Sequence, residues 1–76
     1  MNEFEYFSKE EKLRKKIFEL EGKIEQGYLF VESLSTSTSI EAKKISIKHL
    51  REIKKLEEEL SNVNAELDGL KKEYKN

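Results

Sequence analysis

Two heptad seams, one in each half of the chain, constrain the fold more than any other feature of the sequence. In a coiled coil, apolar residues alternate three and four positions apart (positions a and d of a heptad a–g), which keeps one stripe against a partner helix. The first seam is Leu13, Ile17, Leu20, Ile24, Gly27, Val31 and Leu34, extended backwards through Glu10 to Tyr6. The second seam is Ile53, Leu56, Leu60, Val63, Leu67, Leu70 and Tyr74. We therefore predict a helix in each half.

The segment between the seams is predicted to be a turn. The seams are out of phase, so one continuous helix would rotate its apolar stripe partway along. Residues 35–39 read Ser-Thr-Ser-Thr-Ser, and hydroxyl side chains compete for backbone hydrogen bonds and disfavour the interior of a helix. Thr38 and Glu41 have the spacing of a capping box, which starts a new helix. The chain is therefore expected to fold back on itself.

The predicted fold class is all-α, a single domain over residues 1–76 that forms an antiparallel two-helix coiled-coil hairpin. Helix 1 is expected over about 3–34 or 9–34, because Asn2 with Glu5 and Ser8 with Glu11 both have the capping-box spacing. The turn is expected at 35–38 and helix 2 at about 39–74. The same pattern fits an extended antiparallel dimer, but a short turn favours the hairpin because closing it costs less entropy.

The charges on the flanks predict a register. Every a position faces a d position when paired residue numbers sum to 73, which sets Ile53 opposite Leu20 and Ser46 opposite Gly27. Lysine then meets glutamate along the g positions, and on the e positions Arg14 meets Glu57. The g pairs are Lys9 with Glu66, Lys16 with Glu59, and Lys23 with Glu52. Each exposed pair contributes only about 0–1 kcal/mol, so the row is expected to set orientation more than stability.

Composition narrows the class of protein. Hydrophobic residues make up 36% and charged residues 41%, a profile typical of coiled coils. Fifteen basic residues nearly balance sixteen acidic ones, so bulk charge does not indicate nucleic acid or an anionic membrane. The absence of cysteine excludes disulfides and thiolate metal sites. With neither a signal peptide nor a membrane span in the pattern, we expect a cytoplasmic protein without a membrane partner.

No residue cluster predicts catalysis. His49, the one histidine, falls on a d position without a metal-ligand spacing around it, so we interpret it as a seam residue; its functional alternative is a pH-sensitive interface. The carboxylates of Glu57, Glu58 and Glu59 occupy successive helical positions and point in different directions. The hydroxyl run has no base beside it. We expect no enzyme activity, no cofactor, no metal and no small-molecule substrate.

A second apolar face predicts a binding surface. Positions e and b of an antiparallel pair lie on one side of the hairpin, and two helices alone cannot cover so wide a stripe. Its members are Phe4, Phe18, Ile40 and Ile47 at b and Phe7, Tyr28 and Leu50 at e. Large exposed aromatic residues mark association sites, although a local cluster closing over the hairpin is an alternative.

The predicted function is a protein–protein interaction module. It would self-associate, as a dimer forming a four-helix bundle, or bind a partner helix as an adaptor, assembly factor or small chaperone-like protein. The expected shape resembles that of small helical-hairpin secretion chaperones and of hairpin dimers of the Rop type, in shape alone. The alternative function is a nucleic-acid-binding hairpin, an RNA or DNA regulator with a basic face over 43–55. Its residues are Lys43, Lys44, Lys48, Arg51, Lys54 and Lys55.

Overall fold

The computed structural model describes residues 1–75 and consists of two long helices, α1 (Glu3–Leu34) and α2 (Ile40–Lys75). Tyr6, near the start of α1, stacks on Tyr74 near the end of α2. Phe30, near the end of α1, contacts His49 in the first half of α2. The helices are therefore antiparallel, and the Cα atoms occupy 56 × 14 × 11 Å. The prediction of an all-α helical hairpin is confirmed.

Helix α1 begins at the earlier of the two starts considered. The Asn2 side chain accepts a hydrogen bond of 2.8 Å from the backbone N–H of Glu5, and Glu3 and Glu5 place negative charge in the first turn. Both features stabilise a helix N-terminus, because the first backbone N–H groups lack partners within the helix.

Hydroxyl groups at the end of α1 and in the turn bond to backbone carbonyls of the last helical turns, the competition that the composition of residues 35–39 predicts. The Ser33 and Ser35 hydroxyls donate to the carbonyls of Phe30 and Glu32, both at 2.6 Å. Helix α2 then begins at Ile40, where the Ser39 hydroxyl accepts a hydrogen bond of 3.4 Å from the N–H of Ala42. The capping residue is thus Ser39 rather than the predicted Thr38.

Burial follows the two seams. The buried side chains all occupy a or d positions: Tyr6, Leu20, Ala42, Ile53, Val63, Leu67 and Leu70. The remaining seam residues are half-buried, except Tyr74, which is 39% exposed. Ile53 is the most buried of these, at 2% exposed. The heptad frame predicted for each helix is therefore the frame in which the helices pack.

The predicted register is wrong by one heptad. A Cβ built on Gly27 would lie 2.8 Å from Cγ1 of Ile53, so Gly27 faces Ile53 and not Ser46. Tyr6 likewise stacks on Tyr74 rather than facing Leu67. Each α1 seam residue thus meets a residue seven positions further along α2 than predicted. The missing side chain of Gly27 makes the space that Ile53 fills, which explains a glycine in the middle of a helix despite its cost of about 1 kcal/mol.

Candidate interaction surfaces

The seven residues of the predicted partner face are all exposed; we call them the apolar flank. They are Phe4, Phe7, Phe18, Tyr28, Ile40, Ile47 and Leu50. Phe4 and Phe18 are the most exposed, at 82% and 80%. Because burial confirms the heptad frame, positions e and b of both helices border the same side of the seam. The fold therefore leaves a broad apolar surface without cover from its own chain.

Within the apolar flank, Tyr28 of α1 forms a hydrogen bond to Glu57 of α2. Its hydroxyl lies 3.2 Å from each carboxylate oxygen of Glu57 across the seam. Partial loss of contact with water raises the pKa of Tyr28, and the charge and hydrogen bonding of Glu57 raise it further. The predicted contact of Glu57 with Arg14 is wrong, since the Arg14 guanidinium lies 3.5 Å from Glu10, one turn away on its own helix.

An aromatic cluster closes the open end of the hairpin. The rings of Tyr6 and Tyr74 stack with centroids 4.1 Å apart, and Phe7 meets the Tyr6 ring edge-on at 5.3 Å. The Tyr6 hydroxyl donates a 2.8 Å hydrogen bond to Glu10. That bond raises the pKa of Tyr6 and lowers the pKa of Glu10. Phe7 is thus partly engaged by a local cluster, whereas Phe4 has no ring partner in it.

The Tyr6–Glu10 bond predicts a stability that declines at both extremes of pH. The raised pKa of Tyr6 gives a contribution fully present below 10.0 and lost as pH rises through the folded-state pKa. The lowered pKa of Glu10 gives a contribution present above 4.5 and lost as pH falls. We expect Tyr6→Phe to show a smaller loss of unfolding free energy than wild type between about pH 8 and about pH 11. Urea titrations followed by circular dichroism measure this. Equal losses in the two proteins would contradict the assignment.

A groove lies beside the turn and continues the apolar flank. It has a volume of about 380 Å³, and its lining includes the apolar side chains of Val31, Leu34 and Ile47. Lys43 and the hydroxyls of Ser35, Ser37 and Ser46 complete its rim. Such a groove suits an apolar side chain of a docked helix whose neighbours offer hydrogen bonds or negative charge.

The opposite flank, formed by g and c positions, has a groove of its own. Leu13 and Leu70 are the apolar part of a space of about 510 Å³, bordered by Lys9, Lys12, Glu66 and Glu73. Gly69 contributes no side chain there, and a Cβ at this position would meet nothing within 4 Å. Mixed charges around an apolar floor distinguish this groove from the apolar flank.

Sequence reasoning missed three exposed apolar residues near the turn. Leu29, Phe30 and Ile45 are each more than 40% exposed, and the Phe30 ring lies 4.5 Å from the His49 ring. The signal was present, because Phe30 and Ile45 interrupt the g-position row of lysine and glutamate. Near the turn, the g side of the hairpin is therefore apolar like the e and b side, and it does not carry the predicted lysine–glutamate row. Further along, Lys16 pairs with Glu59 at 3.5 Å as predicted, although the seams are shifted by a heptad. Among residues 1–75, the predicted pairs of Lys9 with Glu66 and of Lys23 with Glu52 are not within 4.0 Å.

The predicted nucleic-acid face is also exposed. Its six residues are Lys43, Lys44, Lys48, Arg51, Lys54 and Lys55. Over residues 1–75, none of them lies within 4.0 Å of a carboxylate oxygen. His49 lies between them in sequence, with Nδ1 3.9 Å from Glu52, and its side chain is 36% exposed. The first half of α2 therefore presents a positive surface beside the apolar flank.

The described part of the chain holds no group of three His, Cys, Asp or Glu side chains placed to bind a metal ion. In the same residues, neither helix combines the length and the apolar character needed to cross a membrane. Fold and surfaces together define an all-α helical hairpin with an exposed apolar flank and a basic face. The chain matches no protein-family model, no curated protein sequence and no solved structure.

Proposed function

We propose that the hairpin is a protein–protein interaction module that acts through its apolar flank. The observation that carries this proposal is the exposure of Phe4 and Phe18, at 82% and 80%. Full burial of such a side chain is worth roughly 1.5–3 kcal/mol, and two aromatics left in water at b positions leave that free energy for a partner to use. Roles as an adaptor, assembly factor or chaperone-like protein, and a cytoplasmic location, belong to this proposal.

Local closure of the aromatics over the hairpin accounts for only part of the flank. The observed cluster consists of Tyr6, Phe7 and Tyr74. Phe18 lies three turns further along α1 and takes no part in an aromatic contact among residues 1–75. The apolar flank from Phe18 to the turn is therefore the surface that a partner would cover.

Site-specific photo-crosslinking tests the proposal. A photoreactive phenylalanine analogue replaces Phe18 in one variant and Leu29 in the other, and each protein is irradiated in the cells that produce it. Leu29 is the matched control because it is exposed, apolar and on the same helix, yet at the outward f position. Protein adducts at position 18 that are absent at position 29 support the proposal. Equal yields, or none at either position, contradict it.

Charge on the apolar flank is expected to abolish that binding without unfolding the hairpin. Phe18→Glu and Leu50→Glu each place a carboxylate where a partner would desolvate it, which costs several kcal/mol in the complex. Both side chains are exposed in the hairpin, so unfolding free energy is expected to change by less than about 1 kcal/mol. Circular dichroism measures the helicity, and adduct yield from a flanking photoreactive site measures the binding. Leu29→Glu is the control that keeps both.

A nucleic-acid-binding hairpin is the second candidate, favoured by the six basic side chains without ion pairs over 43–55. Binding through such a surface releases counterions from phosphates, so affinity falls steeply with salt. Fluorescence anisotropy with labelled RNA and DNA at low salt is the test. Arg51→Glu with Lys55→Glu is expected to remove binding, while Lys12→Glu with Lys15→Glu on α1 preserves it. Lack of binding at low salt would exclude this function.

A further inference from the structure

We propose that the occupant of the apolar flank is a second copy of this chain, packed antiparallel about a two-fold axis at Phe18. This inference rests on the proposed function and specifies its partner. A two-fold axis in the plane of the flank, perpendicular to the helices, stacks α1 of one copy on α1 of the other in opposite directions. The result is a four-helix bundle. A residue at the axis contacts the same residue of the second copy, and a residue on one side of the axis contacts the residue at about the same distance on the other side.

The spacing of apolar residues along the flank is symmetric about Phe18. Phe7 precedes Phe18 by eleven positions, and Tyr28 follows it by ten. The observed register, with Gly27 opposite Ile53, places Leu50 level with position 30 of α1. Rotation about Phe18 therefore brings Phe7 of one copy beside Tyr28 and Leu50 of the other.

The outer part of the flank follows the same symmetry. Ile47 lies level with position 33 of α1 in the observed register, about as far from Phe18 as Phe4 is on the other side. The groove beside Ile47, of about 380 Å³, then receives Phe4 of the second copy, the most exposed large apolar side chain among residues 1–75. Phe18 meets Phe18 at the axis, so no large aromatic of the flank is left in water.

Charges near the axis complement one another in this arrangement. Arg14 comes beside Glu21 of the second copy on the stacked α1 helices, and Lys54 beside Asp68 on the stacked α2 helices. One contact opposes association, because Glu11 of one copy approaches Glu25 of the other. This like-charge pair distinguishes the proposed geometry from others and provides a gain-of-affinity test.

The area of the flank favours an overlap along the full hairpin. The long and middle extents of the Cα atoms, 56 and 14 Å, give a face of about 780 Å². A stable protein interface buries roughly 800 Å² on each partner. A two-fold axis at residue 18 leaves only the turn beyond the overlap, whereas a contact confined to the turn ends would bury less than half of the face.

Because the chain contains no cysteine, single cysteine variants test the geometry in the purified full-length protein. Light scattering is expected to give twice the monomer mass of 9.0 kDa. Under mild oxidation, Phe18→Cys is expected to form a disulfide-linked dimer, while Leu29→Cys at an outward position does not. A mixture of Phe7→Cys and Tyr28→Cys proteins is expected to yield mainly the mixed dimer.

Affinity provides a second test that needs no cross-link. Phe18→Glu, which sets two carboxylates face to face at the axis, is expected to weaken the dimer by about 100-fold. Glu25→Lys replaces a repulsion by an attraction to Glu11 in two symmetric places, and is expected to tighten the dimer on the order of 10-fold. Sedimentation equilibrium measures both.

Three results would overturn the inference. If the purified protein stays monomeric at high concentration, the occupant of the apolar flank is not a second copy. If Ile40→Cys forms the disulfide-linked dimer and Phe18→Cys does not, the two copies contact each other at their turns and not about an axis at Phe18. If the mass exceeds that of the monomer only after nucleic acid is added, association depends on the basic face. In each case position-18 adducts in cells still decide the proposed function separately.

Discussion

Ile53→Ala is expected to lower the unfolding free energy by about 2–5 kcal/mol, the range for removing most of a buried aliphatic side chain. Ile53 is 2% exposed and fills the space left by Gly27, so its loss opens a cavity that α1 cannot easily close. A chain of 76 residues buries a modest core, so we expect its total stability to fall near the lower end of the usual range of about 5–15 kcal/mol. We therefore expect a large part of the variant population to be unfolded at about 37 °C.

Urea denaturation followed by circular dichroism, at one protein concentration, measures this effect. Ile45→Ala is the matched control because it removes the same atoms from the same helix at a position that is 42% exposed and outside the apolar flank. Its effect on the isolated hairpin is expected to stay within about 0.5 kcal/mol. Similar losses in the two variants would show that Ile53 is not the centre of the core.

Gly27→Leu is expected to displace the hairpin from its observed register. Even a Cβ at this position would lie 2.8 Å from Cγ1 and 3.0 Å from Cδ1 of Ile53, so a leucine cannot fit without movement of one helix. Overpacking of this kind costs about 1–3 kcal/mol. In the register one heptad away, residue 27 faces the smaller Ser46, which relieves the clash while every a position still faces a d position.

A disulfide reports which register is present. The Tyr6 and Tyr74 rings stack at 4.1 Å, so the double variant Tyr6→Cys with Tyr74→Cys is expected to close an intramolecular disulfide. Adding Gly27→Leu is expected to reduce its yield. Gly22→Leu is the control, since a Cβ there meets nothing within 4 Å, and it is expected to stabilise the helix by roughly 0.5–1 kcal/mol. Stabilisation by Gly27→Leu of the same size would refute the close approach.

Local structure was predictable from the sequence because it depends on local chemistry. Asn2 caps α1 where its spacing to Glu5 indicates, and the hydroxyl run ends α1 at Leu34. The seam residues are the buried ones, since an apolar stripe at heptad spacing has one way to avoid water. The exposure of Phe18 and Phe4 follows from the same frame, because b positions lie away from the seam.

The contacts between the helices were less predictable, because they depend on alignment over many residues. Lysine occupies g positions at 9, 16 and 23 of α1, and glutamate occupies them at 52, 59, 66 and 73 of α2. A shift of seven positions keeps lysine opposite glutamate, so this row cannot distinguish neighbouring registers. The predicted pair of Arg14 with Glu57 was wrong for the same reason.

The sequence by itself determined two helices, the turn between them, the stripe each buries and the side on which aromatic residues remain exposed. Each of these follows from a period or a cap read within a few turns of one helix. Only the tertiary structure decided the register, through the fit of Ile53 against Gly27 and of Tyr6 against Tyr74. A heptad pattern repeats every seven residues and so fits several registers, whereas the shapes of these contacting residues fit one. The register therefore set where Ile47 and Leu50 of α2 lie relative to Phe18, on which the proposed dimer depends.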